Sequence, residues 1–168
     1  RLKKIATNGY GDRGMSYFVC DVSGAFYKMP LAFVEQHYFV LSYQGEYYIW
    51  TRVGQGSLNG PTLFGRLAAF VGIMSQALIE GDRAAVQIYI DDPIVRICAS
   101  DQDSANIVTR LTLFWRALGF DLATPKAQLH DQVAWIGYEV KDEGDTTAIS
   151  IKGGVAQGPA CGGEAHLG

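Results

Sequence analysis

Tyr89-Ile90-Asp91-Asp92 constrains this chain more than any other stretch. It lies between two apolar runs, Ala84 to Ile90 and Pro93 to Cys98, each rich in β-branched residues. That pattern predicts strand, tight turn, strand, with both aspartates at the tip. Adjacent carboxylates repel one another, so such a tip needs a counter-charge. It is either a solvated Asp-rich turn or a site for a hard divalent cation such as Mg²⁺ or Mn²⁺.

The surrounding pattern fits a packed domain. The chain has 168 residues, 48% hydrophobic and 18% charged, enough for one domain with a core. Net charge is −3, which alone argues against a nucleic-acid surface, where basic patches supply most of the affinity. Cys20, Cys98 and Cys161 form neither metal-ligand spacing nor an even disulfide set, so buried free thiols and a reducing compartment are expected. No signal peptide opens the chain, and the longest apolar run, Leu67 to Met74, is far short of the ~20 residues of a membrane span. An intracellular protein is expected. Opening on Arg1, the sequence reads as an excised fragment or a conceptual translation.

Residues 1–16 read as a poorly ordered lead-in, and Tyr17 to Cys20 as a buried strand ending at Asp21. Pro30 to Glu35 suits one or two helical turns. His37 to Leu41 and Tyr47 to Arg52 predict a hairpin around Ser42–Glu46. A helix is predicted over 61–79 with Leu63, Leu67, Phe70, Met74 and Leu78 (and Val71) on its core face, ending at Gly81. A second runs to Leu118, capped by Asp103 or Ser104, burying Val108, Leu111, Trp115 and Leu118 and stopped by Gly119. Val133 to Val140 reads as a strand, Asp142 to Asp145 as a turn, and Thr146 to Ile151 as a returning partner. Residues 141–168 end in a Gly-rich tail, expected to be disordered. The order predicts an α+β fold, helices packed on one face of an antiparallel sheet.

Asp21 ends one strand and Asp91-Asp92 crown a hairpin. Were those strands neighbours, the carboxylates would meet at one sheet edge and could hold two metals for in-line phosphoryl transfer. The alternative for Asp21 is a strand-end carboxylate capping the next turn.

Several motifs in order strengthen the first reading: Asp21-Val22-Ser23-Gly24-Ala25-Phe26; Gln55-Gly56 with Pro61 six residues after the Gln; Tyr89-Ile90-Asp91-Asp92; Gly119-Phe120 with Thr124-Pro125-Lys126; and Trp135-Ile136-Gly137-Tyr138-Glu139. Together they resemble the reverse transcriptases of retroviruses and LTR-type retrotransposons, over about 17–140. The resemblance implies a polymerase palm with a ferredoxin-like core, part of a retroelement polyprotein. Asp21, Asp91 and Asp92, with the Val22 carbonyl, would hold two Mg²⁺ (or Mn²⁺). Phe26 would exclude a 2′-hydroxyl, favouring dNTPs. Gln55 and Gly56 would line the nucleotide pocket, and Tyr89, Trp135 and Gly137 would hold the primer, the last two in a primer-grip strand pair. Lys126 would protonate or screen the leaving pyrophosphate.

Template, primer and dNTPs are the implied partners. Fingers, thumb and ribonuclease H parts would be largely absent, which also accounts for the acidic balance. Against catalysis stand a decayed, inactive fragment and a non-catalytic ferredoxin-like domain that uses aromatics on an open sheet face. Pro93 favours decay: it would deprive the Asp91-Asp92 turn of an N–H bond to the Ile90 carbonyl, loosening the tip. Gly54 and Gly60 also depart from the residues usual in the family, Pro and Ser.

Overall fold

The computed structural model describes residues 14–79, 84–142 and 147–151. The readings of residues 1–13, of Gly81, of most of the turn after Asp142 and of the tail with Cys161 lie outside those residues. In chain order the strands and helices are β1 (Met15–Val19), β2 (Val40–Tyr43), β3 (Glu46–Ile49), α1 (Gly60–Leu78), β4 (Ala84–Tyr89), β5 (Asp92–Cys98), α2 (Asp101–Ala117), β6 (Gln128–His130), β7 (Gln132–Trp135), β8 (Tyr138–Asp142) and β9 (Thr147–Ile151). The first strand begins at Met15, two residues before the expected Tyr17. The helical turns expected over Pro30 to Glu35 appear as a 3₁₀ segment, Phe33–Tyr38.

The main sheet is antiparallel, with order β4-β5-β1-β6. Its central strands are apolar on both faces, and both faces are covered. On one side Phe18, Cys20, Val95 and Ile97 pack against α1 and α2. On the other, Tyr17, Val19 and Ile94 pack against Val133 and Val140 of the meander β7-β8-β9. The expected helix layer is present, and a second sheet closes the opposite face. Tyr17 also reaches through that layer to hydrogen-bond with Thr147 of β9 at 3.0 Å.

Helix α1 matches the predicted span but turns a different side inward. Phe64, Ala68, Val71 and Ser75 are buried; Leu63, Phe70 and Leu78 are exposed. Moving the buried set by one residue rotates it by about 100°. Nearly every position of α1 is apolar, so periodicity does not fix the phase. Specific contacts do. Trp115 Nε1 donates to Ser75 Oγ at 2.7 Å, and that hydroxyl donates to the Val71 carbonyl at 2.7 Å. Phe64 meets Phe26 and Phe120 edge-on, with centroids 6.0 and 6.1 Å apart. Gln76 donates to the Ala84 carbonyl and accepts from Val86 N–H, so its amide occupies part of the free edge of β4.

Helix α2 is capped earlier than expected. Ser100 is the N-cap and accepts from Asp103 N–H at 3.2 Å, while its hydroxyl donates to the Asp103 carboxylate. Asp103 is therefore the third helical residue, a partner of the cap. Ser104, Ile107, Leu111 and Trp115 are buried; Val108 is marginal and Leu118 exposed. Gly119, in the left-handed region at φ 86, ends the helix as expected. Phe120 N–H returns to the Trp115 carbonyl and Gly119 N–H to that of Arg116, a Schellman stop.

The expected strand 133–140 is two strands. Ile136 (φ 44) and Gly137 (φ 83) form a tight turn between β7 and β8. A β-branched residue in the left-handed region is unusual, and Ile136 hides the turn from any reading based on propensity. The returning strand after the next turn is present as β9, paired with β8. Among the described residues no helix is long and apolar enough to cross a membrane.

Candidate active site

Strand β1 delivers Asp21 to one end of the main sheet, and the β4–β5 hairpin delivers Asp91 and Asp92 to the same end. The register pairs Val19 with Ile94, which brings the chain beyond each strand together. Val22 N–H donates to the Asp91 carbonyl at 2.9 Å. A third segment joins them: Ser23 N–H bonds the Asp121 carbonyl at 2.7 Å, Ala123 N–H bonds the Asp21 carbonyl at 3.0 Å, and Val22 bridges Leu122. This stitching carries Lys126 to Asp21, Nζ to Oδ2 2.8 Å. Trp135 Nε1 donates to the Asp92 carbonyl at 3.0 Å, tying β7 to the hairpin.

The hairpin tip differs from expectation. Tyr89 pairs with Asp92, so the two turn residues are Ile90 and Asp91, and Asp92 begins β5. Ile88 then faces Pro93 as a pair that exchanges no hydrogen bonds between the strands. Pro93 turns its backbone toward β1 instead, where its carbonyl accepts from Cys20 N–H at 3.5 Å. The turn never uses the bond that Pro93 cannot make. The missing N–H falls where the β1–β5 ladder ends, past Val19–Ile94. Ile90 takes φ 55, a strained value for a β-branched residue. Its side chain packs on the helix-side core, which holds it there.

Charge crowds this edge. Asp92 is pushed up to about 6 from 3.8, first by partial burial, then by the charges of Asp91 and Asp21 and a hydrogen bond shared with the Asp21 carboxyl; Lys126 opposes the shift. Lys126 is raised, chiefly by its hydrogen bond and charge contact with Asp21. Cys20 lies beneath, its thiol pushed up to about 12 by burial and then by Asp21 and Asp92, so it is inert.

The donors are hard carboxylate oxygens under mutual repulsion, the set that suits Mg²⁺ or Mn²⁺. Yet among the described residues no three acidic, His or Cys side chains converge as a ready-made cage. Asp21 is engaged by Lys126 instead.

The remaining expected residues are spread over several elements. Phe26 follows Gly24, whose φ of 61 turns the chain into a 3₁₀ segment, Ala25–Lys28. Phe26 is half-buried against Phe64, and a Cβ on Gly60 would come within 3.6 Å of its ring. Gln55 and Gly56 are exposed and line an open cleft of 520 Å³ with Tyr27, Tyr38 and Trp50. Among the described residues neither hydrogen-bonds to the carboxylates. Tyr89 is exposed at the end of β4 and Gly137 is exposed in the β7–β8 turn. Sequence reasoning missed the ion pair between Lys28 and Asp121, and Asp121 is lowered by Lys28 in consequence. No motif marks them; folding alone brings them together.

Comparison with known proteins identifies the family. Residues 11–140 match the reverse transcriptase (RNA-dependent DNA polymerase) family. The chain is 31% identical over 137 residues to the Gag-Pol polyprotein of Walleye dermal sarcoma virus, covering 76% of this chain and 7% of that protein. It is 31% identical over 132 residues to the Gag-Pol polyprotein of Avian reticuloendotheliosis virus, covering 74% and 11%. A foamy viral protease-reverse transcriptase in complex with RNA/DNA hybrid superposes with a TM-score of 0.65 at 21% identity, covering 81% of this chain and 17% of that one. The chain belongs to the reverse transcriptase family and has the α+β fold of its palm. It spans about a tenth or less of the curated relatives it matches.

Proposed function

We propose that this chain is the catalytic palm of an RNA-directed DNA polymerase within a retroelement polyprotein. The observation that carries the reading is the meeting of Asp21, Asp91 and Asp92 where β1 joins the β4–β5 hairpin, with Asp92 raised by its neighbours and Lys126 alongside. The reaction is template-directed transfer of a dNMP to a primer 3′-hydroxyl, with pyrophosphate leaving. Two Mg²⁺ ions held by Asp21, Asp91 and Asp92, with Mn²⁺ able to replace them, would acidify the hydroxyl and stabilise the leaving group. The Val22 carbonyl is a further donor.

This chain's own residues position the reactants. Phe26, backed by Phe64, sets a wall beside the nucleotide sugar. Gln55 and Gly56 line the neighbouring cleft, where a backbone without Cβ admits close approach. Tyr89, Trp135 and Gly137 face the primer, and the Trp135–Asp92 bond couples that strand pair to the carboxylates. Lys126 meets the leaving phosphates. An RNA or DNA template with its primer is the partner, by likeness to relatives described with RNA/DNA hybrid or double-stranded DNA. Other parts of the polyprotein would supply most of the basic surface.

Two structural facts weigh against the alternatives. Pro93 leaves the catalytic turn intact, which removes one ground for reading the chain as decayed. The sheet face that a ferredoxin-like RNA-binding domain would leave open is covered by β7 and β8. Mn²⁺ titration of the chain is the test. Asp91→Asn should weaken binding by about tenfold or more. Unchanged affinity would sink the catalytic reading.

A further inference from the structure

Lys126 is held in an unusual way. Its backbone is fixed by the short 3₁₀ turn Thr124–Lys126 and by Ala123 N–H on the Asp21 carbonyl. Its side chain is 71% exposed and touches the site through Nζ on Asp21 Oδ2. The anchor is rigid and the ammonium is free to leave. Meanwhile Asp21, Asp91 and Asp92 crowd one edge without closing into a three-ligand cage. Among the described residues, the salt bridge made by Asp21 is the one to Lys126.

We propose that the Lys126 ammonium is a place-holding cation for the metal-free site: it neutralises Asp21 until a divalent ion arrives, then swings off and is free to meet a nucleotide phosphate. This rests on the polymerase reading and adds to it an order of events. An ammonium and a divalent ion cannot share Asp21 at close range without repulsion. Ion binding at Asp21 therefore weakens the Lys126–Asp21 contact, and that contact lowers the cluster's affinity in turn. The released side chain, four methylenes on a fixed backbone, can turn outward without any change in the fold.

Metal affinity of the full chain, without nucleotide, provides the test. Lys126→Met and Lys126→Arg are compared with the unaltered chain and with Asp91→Asn, using free Mn²⁺ measured by electron paramagnetic resonance. Lys126 is exposed, so its variants fold. Lys126→Met should tighten Mn²⁺ binding about threefold, the size of one exposed ion pair released. Lys126→Arg should bind as the unaltered chain does. Saturating Mg²⁺ should also shift the ¹³Cε resonance of Lys126 in the unaltered chain.

Unchanged or weaker binding in Lys126→Met, with Asp91→Asn still weakened, would overturn the place-holder and leave the polymerase reading standing. Binding insensitive to Asp91→Asn, or absent throughout, would overturn both.

Discussion

Two hairpins in this molecule are alike in sequence and opposite in setting. β2–β3 and β4–β5 both pair apolar and β-branched strands around two-residue turns. Every residue of β2 and β3 is exposed, including Tyr47 at 80% and Ile49 at 60%. In β5, Pro93 to Cys98 are all buried. The difference lies in what covers each hairpin. The hairpin that carries Asp91 and Asp92 lies between α1 and α2 on one face and the β7–β8 layer on the other. The outer hairpin has no such layer among the described residues, and an apolar surface of that extent is the kind that meets another polypeptide. The turns differ too. Gln44 and Gly45 relax into left-handed geometry at φ 50 and 82, whereas the inner turn holds Ile90 at φ 55 beside two carboxylates. The packed hairpin tolerates strain and repulsion because its surroundings dictate its shape.

Core truncation is the largest way to break this contrast. Phe64, 1% exposed and wedged between Phe26 and Phe120, should cost about 3–5 kcal/mol as Phe64→Ala. Tyr47→Ala in the outer hairpin should stay within about 0.5 kcal/mol. Urea unfolding of the two variants would decide it, and equal losses would show that the outer hairpin is packed after all. A smaller effect should follow from Trp135→Phe, which keeps the ring and deletes the bond to the Asp92 carbonyl. About 1 kcal/mol is expected, with faster amide exchange in β5 near Asp92 than in β2. Exchange faster by the same factor in both hairpins would mean that the indole does not act locally.

How much of this was legible in the sequence depends on the scale of the feature. The β4–β5 hairpin, both helices and the Asp21–Asp91–Asp92 grouping follow from local patterns and ordered motifs. The facing of α1 does not, because an almost wholly apolar helix offers no polar side from which to judge its phase. Ser75, a polar residue, faces inward because Trp115, 40 positions away, supplies a donor. Strand propensity passed over the turn at Ile136, because isoleucine normally argues for strand, and only the family resemblance implied a strand pair there. Pro93 was misplaced by a single residue of register, which moved its missing N–H from the turn to the β1 side. Lys28 and Asp121 carry no signal at all, since 93 residues separate them.

The subtlest difference between the hairpins is electrostatic, and pH exposes it. Asp92 has a folded pKa near 6 against 3.8 for the free group. Below the lower value the group is protonated folded or unfolded and affects nothing. As pH rises from about 4 to 6, the unfolded chain gives up the proton first, so the folded state loses stability across that window. Above it the penalty is constant. Asp92→Asn removes the titration and should stabilise the metal-free chain at pH 7 by about 1 kcal/mol, after allowing for screening by solvent. The gain should vanish below pH 4. Saturating Mg²⁺ should narrow it at pH 7, because an ion relieves in the unaltered chain the repulsion that the variant lacks. A gain independent of pH would show that packing, not charge, sets the cost of Asp92. A gain in pH 7 buffer that survives Mg²⁺ unchanged would place the ion elsewhere.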